Sequence, residues 1–233
     1  MPITIRKSSE RGYYDYEWLK TYHTFSFGQY EDPHYMGFRS LRVINENRVR
    51  PAVGFPVQAH KNMEIFSLVI EGRLAYQDTM GNGSIFRPGQ ISFLRAGTGV
   101  THTETNASQK DEVLFWQFWI TPDTKGLEPS YTEKEFSKAD RHNQWDLIFS
   151  KDGHDDSIKI HQDVNIYWTE LDEGFEINFS LPDKRYGWLQ LLEGNIQLNG
   201  KEMESGDGAA ISEINEIKLK AIAPSNLLFF DLN

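Results

Sequence analysis

The chain contains no cysteine. Disulfides and thiolate ligands are therefore excluded, and any bound metal must be held by nitrogen and oxygen donors. No apolar run approaches the roughly 20 residues that a membrane-spanning helix needs, and Met1-Pro2-Ile3-Thr4-Ile5-Arg6-Lys7 carries no apolar signal core. A cytoplasmic location and no membrane partner are the expectation. Positive charge is scarce too: 24 Lys and Arg stand against 34 Asp and Glu, a net charge of −10. That balance disfavours direct binding to nucleic acid, whose phosphates demand a basic surface. The one arginine cluster, Arg39, Arg42, Arg48 and Arg50, alternates with apolar residues and reads as the solvated face of strands.

Helix signals are equally thin. Residues 131–140 could form one or two turns, with Thr132 as N-cap before Glu133 and Glu135. Val113-Leu114-Phe115-Trp116-Gln117-Phe118-Trp119-Ile120 is apolar on both faces, and its β-branched and aromatic content favours a strand buried between two layers. Eight aromatics, Tyr13, Tyr14, Tyr16, Trp18, Tyr22, Phe25, Phe27 and Tyr30, crowd the N-terminal region, where core packing accounts for most and a pocket for a flat phenolic ligand for some. Asp152-Gly153-His154-Asp155-Asp156 lacks the loop and terminal glutamate of a calcium site and reads as a solvated turn. His142, His154 and His161 have no partner at ligand spacing.

What the chain does have is Gln58-Ala59-His60, answered further on by His102-Thr103-Glu104. Alternate residues of a strand share a side, so each pair presents its polar groups together. In residues 101–106, His102, Glu104 and Asn106 occupy one face and three threonines the other. Two imidazoles and a carboxylate, from His60, His102 and Glu104, are the set that holds iron(II) on one face and leaves positions open for substrate and oxygen. Gln58 would be a fourth, weaker oxygen donor. The plainer alternative is that each histidine satisfies a hydrogen bond inside its strand.

The surrounding framework resembles the two cupin motifs. Gly54 to Gly72 brackets the first pair, with Glu64 four residues after His60. Pro88-Gly89 to Asn106 brackets the second, with Arg95 standing where cupins usually have proline. Upstream, Thr24-Phe25-Ser26-Phe27-Gly28, Asp32-Pro33, Met36-Gly37-Phe38 and Leu41-Arg42-Val43-Ile44-Asn45 look like the pirin family, as do His60-Lys61-Asn62-Met63-Glu64-Ile65 and Ala96-Gly97-Thr98-Gly99. Together these words cover most of residues 5–135. The resemblance implies a two-domain cupin with one divalent metal in the N-terminal barrel, held by a His-x-His and a His-x-Glu pair. Iron(II) is the first expectation, with nickel, copper or zinc as alternatives. The family's first histidine falls at Gln58, a neutral amide and a poorer donor, so affinity should fall. Glu64 is then a group behind the ligands.

An internal repeat extends the pattern. Leu68-Val69-Ile70-Glu71-Gly72, the Gly81-Asn82-Gly83 turn and Pro88-Gly89 are echoed by Leu191-Leu192-Glu193-Gly194, Asn199-Gly200 and Gly206-Asp207-Gly208. The expected architecture is all-β, two antiparallel sandwich or barrel domains of cupin type with little helix. The N-terminal domain is placed at 1–135 and the C-terminal one at 136–233, with a charged, turn-rich connector from Pro122 to Arg141. The second copy has no counterpart to either ligand pair, so it should be metal-free and structural. Bacterial pirins are described as quercetin 2,3-dioxygenases, and animal pirins as nuclear iron proteins that bind transcriptional partners. The resemblance thus implies a mononuclear dioxygenase acting on a flavonol-like phenol, with Glu104 as general base. The alternative is a non-catalytic regulatory or stress protein, metal-sensing or metal-free, that binds a protein partner.

Overall fold

A computed structural model describes residues 2–233. Almost everything regular is strand; the helices are a 3-10 turn at Ser8–Glu10 and a short α-helix at Lys138–Arg141. No helix among the described residues is long and apolar enough to cross a membrane. The chain separates into two compact units, residues 12–136 and residues 2–11 together with 137–233.

In the first unit a seven-stranded sheet runs in the spatial order Ser130–Glu135, Gln90–Arg95, Glu64–Glu71, Val113–Ile120, Leu41–Val49, Leu19–His23, Gly12–Asp15. A four-stranded sheet runs Gln58–His60, Val100–Asn106, Leu74–Asp78, Gly83–Phe86. Side chains from both sheets meet in one core, with Val69, Val113 and Phe115 from the larger and Leu74, Tyr76 and Phe86 from the smaller. Val113–Ile120 is central in the larger sheet, and successive residues on both of its faces are buried along nearly its whole length, so its sequence lacks the polar alternation of a one-sided strand.

The second unit repeats the plan. A seven-stranded sheet in the order Ile3–Arg6, Gly208–Ile211, Tyr186–Glu193, Ser225–Leu232, Val164–Leu171, Asp146–Ser150, Ile158–Lys159 accompanies a four-stranded sheet, Glu176–Ser180, Glu216–Ala221, Asn195–Leu198, Lys201–Glu204. Ile217, Leu219 and Ala221 point into its core from the strand corresponding to Val100–Asn106, so aliphatic side chains fill the inward positions there.

Three expectations from the sequence change. The first residues, read as part of a domain spanning 1–135, pair with the second unit: Ile3–Arg6 lies antiparallel to Gly208–Ile211. Strand Gly208–Ile211 would otherwise be an open edge, and the N-terminal segment covers it. Asp207 locks the join, accepting from Ser8 N at 2.7 Å and from Lys7 Nζ at 2.9 Å. Secondly, residues 130–135 are an edge strand and not a helix; Thr132 sits opposite Phe93, and the N-cap of the short helix is Ser137. Tertiary packing decides this: the Tyr131 ring stacks on Tyr76 at 4.2 Å, and its hydroxyl meets Ser84 at 2.8 Å. Thirdly, of the eight N-terminal aromatics Phe25 alone is fully buried, while Tyr13 and Tyr16 are 49% and 44% exposed. Gly12–Asp15 is the outer strand of its sheet, and its tyrosines pack on tyrosines next to it, Tyr13 on Tyr22 and Tyr14 on Tyr16.

Asp207→Ala is expected to cost about 1–3 kcal/mol by leaving buried donors unpaired. Urea denaturation measures the loss, and limited proteolysis should show cleavage near residue 8 appearing in the variant first.

Candidate metal centre

The register of two short strands builds the site. His102 lies directly opposite Gln58, and Val100 opposite His60, so Gln58, His60, His102 and Glu104 all project from the same face of the four-stranded sheet. The loop preceding Gln58 is pinned further along the same edge of strand Val100–Asn106. Gly54 bridges Thr105, and Phe55 N donates to Glu104 O at 2.8 Å. A Cβ on residue 54 would strike Glu104 O and Thr105 Cα, so this close approach requires glycine.

His60 Nε2 and His102 Nε2 face each other at 2.9 Å. Their rings are steered by neighbours: Trp119 lies edge-on to His60 at 4.8 Å, and Tyr76 packs against His102 at 5.4 Å. Burial lowers the pKa of both imidazoles, that of His102 to about 4, with the His60 charge as a further cause. Both rings are neutral near pH 7, the state in which a ring nitrogen binds a metal. His102 Nδ1 is buried with no hydrogen-bond partner in the protein.

Glu104, 2% exposed, is held by two bonds. Ser67 Oγ donates to Oε1 at 3.0 Å, and Gln117 Nε2 donates to Oε2 at 2.7 Å. Trp119 Nε1 donates to Gln117 Oε1 at 2.8 Å. An indole can only donate, so the amide oxygen must face Trp119 and the NH2 group must face the carboxylate. Burial lifts the Glu104 pKa to about 7, and the bonds from Ser67 and Gln117 pull the other way.

These partners belong to a lateral row. His23, Asn45, Gln117, Ser67 and Ser92 are successive cross-strand neighbours on the inner face of the seven-stranded sheet. Beside the row is a cavity of about 160 Å³. Thr21, His23, Asn45, Asn47, Gln58 and Gln117 give it polar lining, while Tyr16, Leu19, Phe27 and Phe55 give it apolar walls. Gln58 and Gln117 therefore belong both to this cavity and to the immediate surroundings of His102 and Glu104.

The structure thus brings His60 and His102 together and seats Gln58 beside them, whereas the Glu104 oxygens are engaged by Ser67 and Gln117. Among the described residues no three His, Asp or Glu side chains stand as a ready metal-binding group. The donors nevertheless suit a divalent cation. Two ligands at about 2.0–2.1 Å from an ion and at right angles stand about 2.9 Å apart, the spacing of the two Nε2 atoms. A carboxylate has about four lone-pair sites, so the two bonds to Glu104 leave capacity on each oxygen. Sequence reasoning missed Asn45, Ser67 and Gln117. Their signal was a single polar residue at an inward position of an otherwise apolar strand, most plainly Gln117 in Val113–Ile120. His142 pairs with Asp172 and His154 with Asp152, both on the surface of the other unit.

The fold and this inward-facing His-x-Glu strand define a two-barrel cupin. The Pirin family description matches residues 4–120, and the Quercetinase C-terminal cupin domain matches residues 147–232. The chain belongs to the pirin family. It is 38% identical over 231 residues to the quercetin 2,3-dioxygenase of Escherichia coli K12, covering 99% of this chain and 98% of that protein. The crystal structure of YhhW from Escherichia coli superposes with a TM-score of 0.96 at 37% identity, covering 99% of this chain and 97% of that one. A second structure, the bacterial pirin YhhW in complex with nickel(II), gives 0.94 at 36% identity, covering 99% and 98%.

Gln117→Leu is expected to destabilise the protein by about 1–3 kcal/mol although it places a hydrocarbon in a core, because it leaves Glu104 and the Trp119 N–H short of partners. Combined with Ser67→Ala in a double-mutant cycle read by urea denaturation, it should show coupling of at least about 0.5 kcal/mol.

Proposed function

We propose that this protein is a mononuclear metal-dependent dioxygenase acting on a phenolic substrate of the flavonol, quercetin-like kind. The observation that carries the proposal is the convergence of two neutral imidazole nitrogens at 2.9 Å, next to Glu104 and against an aromatic-walled cavity. A quercetin 2,3-dioxygenase that matches the chain end to end, and a nickel-bound pirin of the same fold, support it.

His60, His102 and Glu104 would hold the ion, iron(II) first and nickel, copper or zinc as alternatives, with the amide oxygen of Gln58 as a weak fourth donor. When bound, the ion supplies a Lewis-acidic, open-sided centre for substrate and oxygen. The chain's own residues do the rest. Tyr16, Phe27 and Phe55 offer apolar surface to a flat ring and exclude water from the reacting edge. Glu104 takes the phenolic proton on a carboxylate oxygen, and Ser67 and Gln117 hold that carboxylate so that it meets the hydroxyl without searching rotamers. Trp119 fixes the Gln117 amide and the His60 ring at once.

His60→Ala and His102→Ala should each strip the ion that the parent protein carries while leaving the fold intact, as read by elemental analysis and circular dichroism. Equal metal content in variant and parent would remove those residues from the site. Gln58→His should raise metal affinity by roughly 10–100-fold by completing an imidazole set, and a competition titration with a chelator measures it.

Metal-loaded protein should consume oxygen when given quercetin or a related phenol, and Glu104→Gln should lose turnover more completely than it loses metal. If fully loaded protein shows no oxygen uptake across a broad phenol panel, the dioxygenase assignment falls, and a non-catalytic regulatory role replaces it.

A further inference from the structure

We infer that the cavity beside Gln117 is a one-ring subsite: it admits a single hydroxylated benzene ring, whose hydroxyl donates a hydrogen bond to Asn45 Oδ1. The inference rests on the phenolic reading above and narrows it from a class of molecule to the part of the molecule that enters. Size comes first. At about 160 Å³ the cavity matches those of about 150 Å³ that enclose one benzene, and it falls below the roughly 300 Å³ at which pockets for drug-sized ligands begin. The three rings of a flavonol cannot all lie inside it, but one of them can.

The lining selects the chemistry of that ring. Phe27, Phe55 and Leu19 present apolar surface, and the amides, hydroxyl and His23 imidazole opposite include no anion, so an ammonium would lose its hydration without gaining a counter-ion. A neutral donor fits. Four of the polar residues, Thr21, Asn47, His23 and Gln117, already have work inside the protein. Thr21 Oγ1 donates to Asn47 Oδ1 at 2.9 Å and, having spent its proton, accepts from His23 Nε2 at 3.0 Å. Gln117 is engaged at both ends by Trp119 and Glu104. Asn45 differs: the residue is 3% exposed and lines the cavity, and its Oδ1 has no hydrogen-bond partner in the protein. A buried amide oxygen accepts and cannot donate, so its complement is a hydroxyl or N–H on the ligand. Asn45 is also the cross-strand neighbour of Gln117, so a ring anchored there lies one residue from the group that holds Glu104.

The test uses 4-methylphenol, its methyl ether 4-methylanisole, and quercetin, titrated against metal-loaded protein by ligand-observed NMR. The parent should prefer 4-methylphenol over the ether by about tenfold or more, and 4-methylphenol should displace quercetin one for one. Asn45→Leu, similar in shape but without an acceptor, should erase the preference while leaving ether binding in place. Asn45→Ser, too short to reach, gives the same loss if the leucine variant fails to fold. A preference unchanged in both variants would overturn the role of Asn45 and leave the phenolic reading standing. Quercetin-driven oxygen uptake without 4-methylphenol binding would overturn the one-ring subsite alone. Failure of every phenol to bind, with no oxygen uptake, would bring down the subsite and the phenolic reading together.

Discussion

The N-terminal barrel is organised around a carboxylate that has been taken out of water. Glu104 is sealed between two sheets, where an uncompensated charge would cost several kcal/mol or more. Ser67 and Gln117 make the position tolerable, and both belong to the facing sheet, on the adjacent strands Glu64–Glu71 and Val113–Ile120. The two bonds therefore tie the layers together at one chosen register. A slip of one residue in strand Val100–Asn106 would send His102 and Glu104 outward and bring threonines in, leaving Ser67 and Gln117 without an acceptor. The geometry of the His60–His102 pair depends on the same register, because Gln58 and His60 are placed by their pairing to that strand.

The second unit shows what the plan looks like without this constraint. Its strand order repeats that of the first, yet Ile217, Leu219 and Ala221 fill the inward positions of the corresponding strand. Aliphatic filling is the cheap solution for a β-sandwich core, since nothing buried asks for a partner. The first unit gives up part of that apolar burial for a polar row, and each member of the row then needs its own hydrogen bonds. Thr21, Asn47 and His23 bond to one another and Gln117 is used at both ends, whereas Asn45 Oδ1 at the cavity wall and His102 Nδ1 beside it find no hydrogen-bond partner in the protein. That polar row is what sets the first core apart from the aliphatic core of the second unit.

Much of this was legible from the residues. Alternation alone places His102 with Glu104 and Gln58 with His60, because the strand period is two and the intervening residues are small or β-branched. The repeated Glu-Gly strands and glycine turns disclose two copies of one fold. What the sequence could not show were pairings between segments distant along the chain. Ile3–Arg6 carries no mark saying which edge it will cover, and residues 130–135 have enough acidic and capping character to suit a helix until Tyr131 finds Tyr76. Gln117 hid inside a run whose overall apolarity was its strongest feature. Asn45 and His23 become neighbours only when their strands pair, so the cavity wall is a property of the sheet and not of any one segment.

Gln58 is where these levels meet. An imidazole at that position would add a third ring nitrogen beside the His60–His102 pair and keep its other ring nitrogen for one further hydrogen bond. An amide gives a weaker oxygen donor on one atom and two hydrogen-bond donors on the other, and its side chain lines the cavity as well as facing His102. On the proposed metal site, an amide oxygen turned to the ion would leave the NH2 group to an acceptor on the proposed ligand, so one side chain would serve both. That complements Asn45, whose free oxygen asks for a donor, so a ring bearing a hydroxyl at one edge and a carbonyl or ether oxygen at the other would satisfy both amides at once.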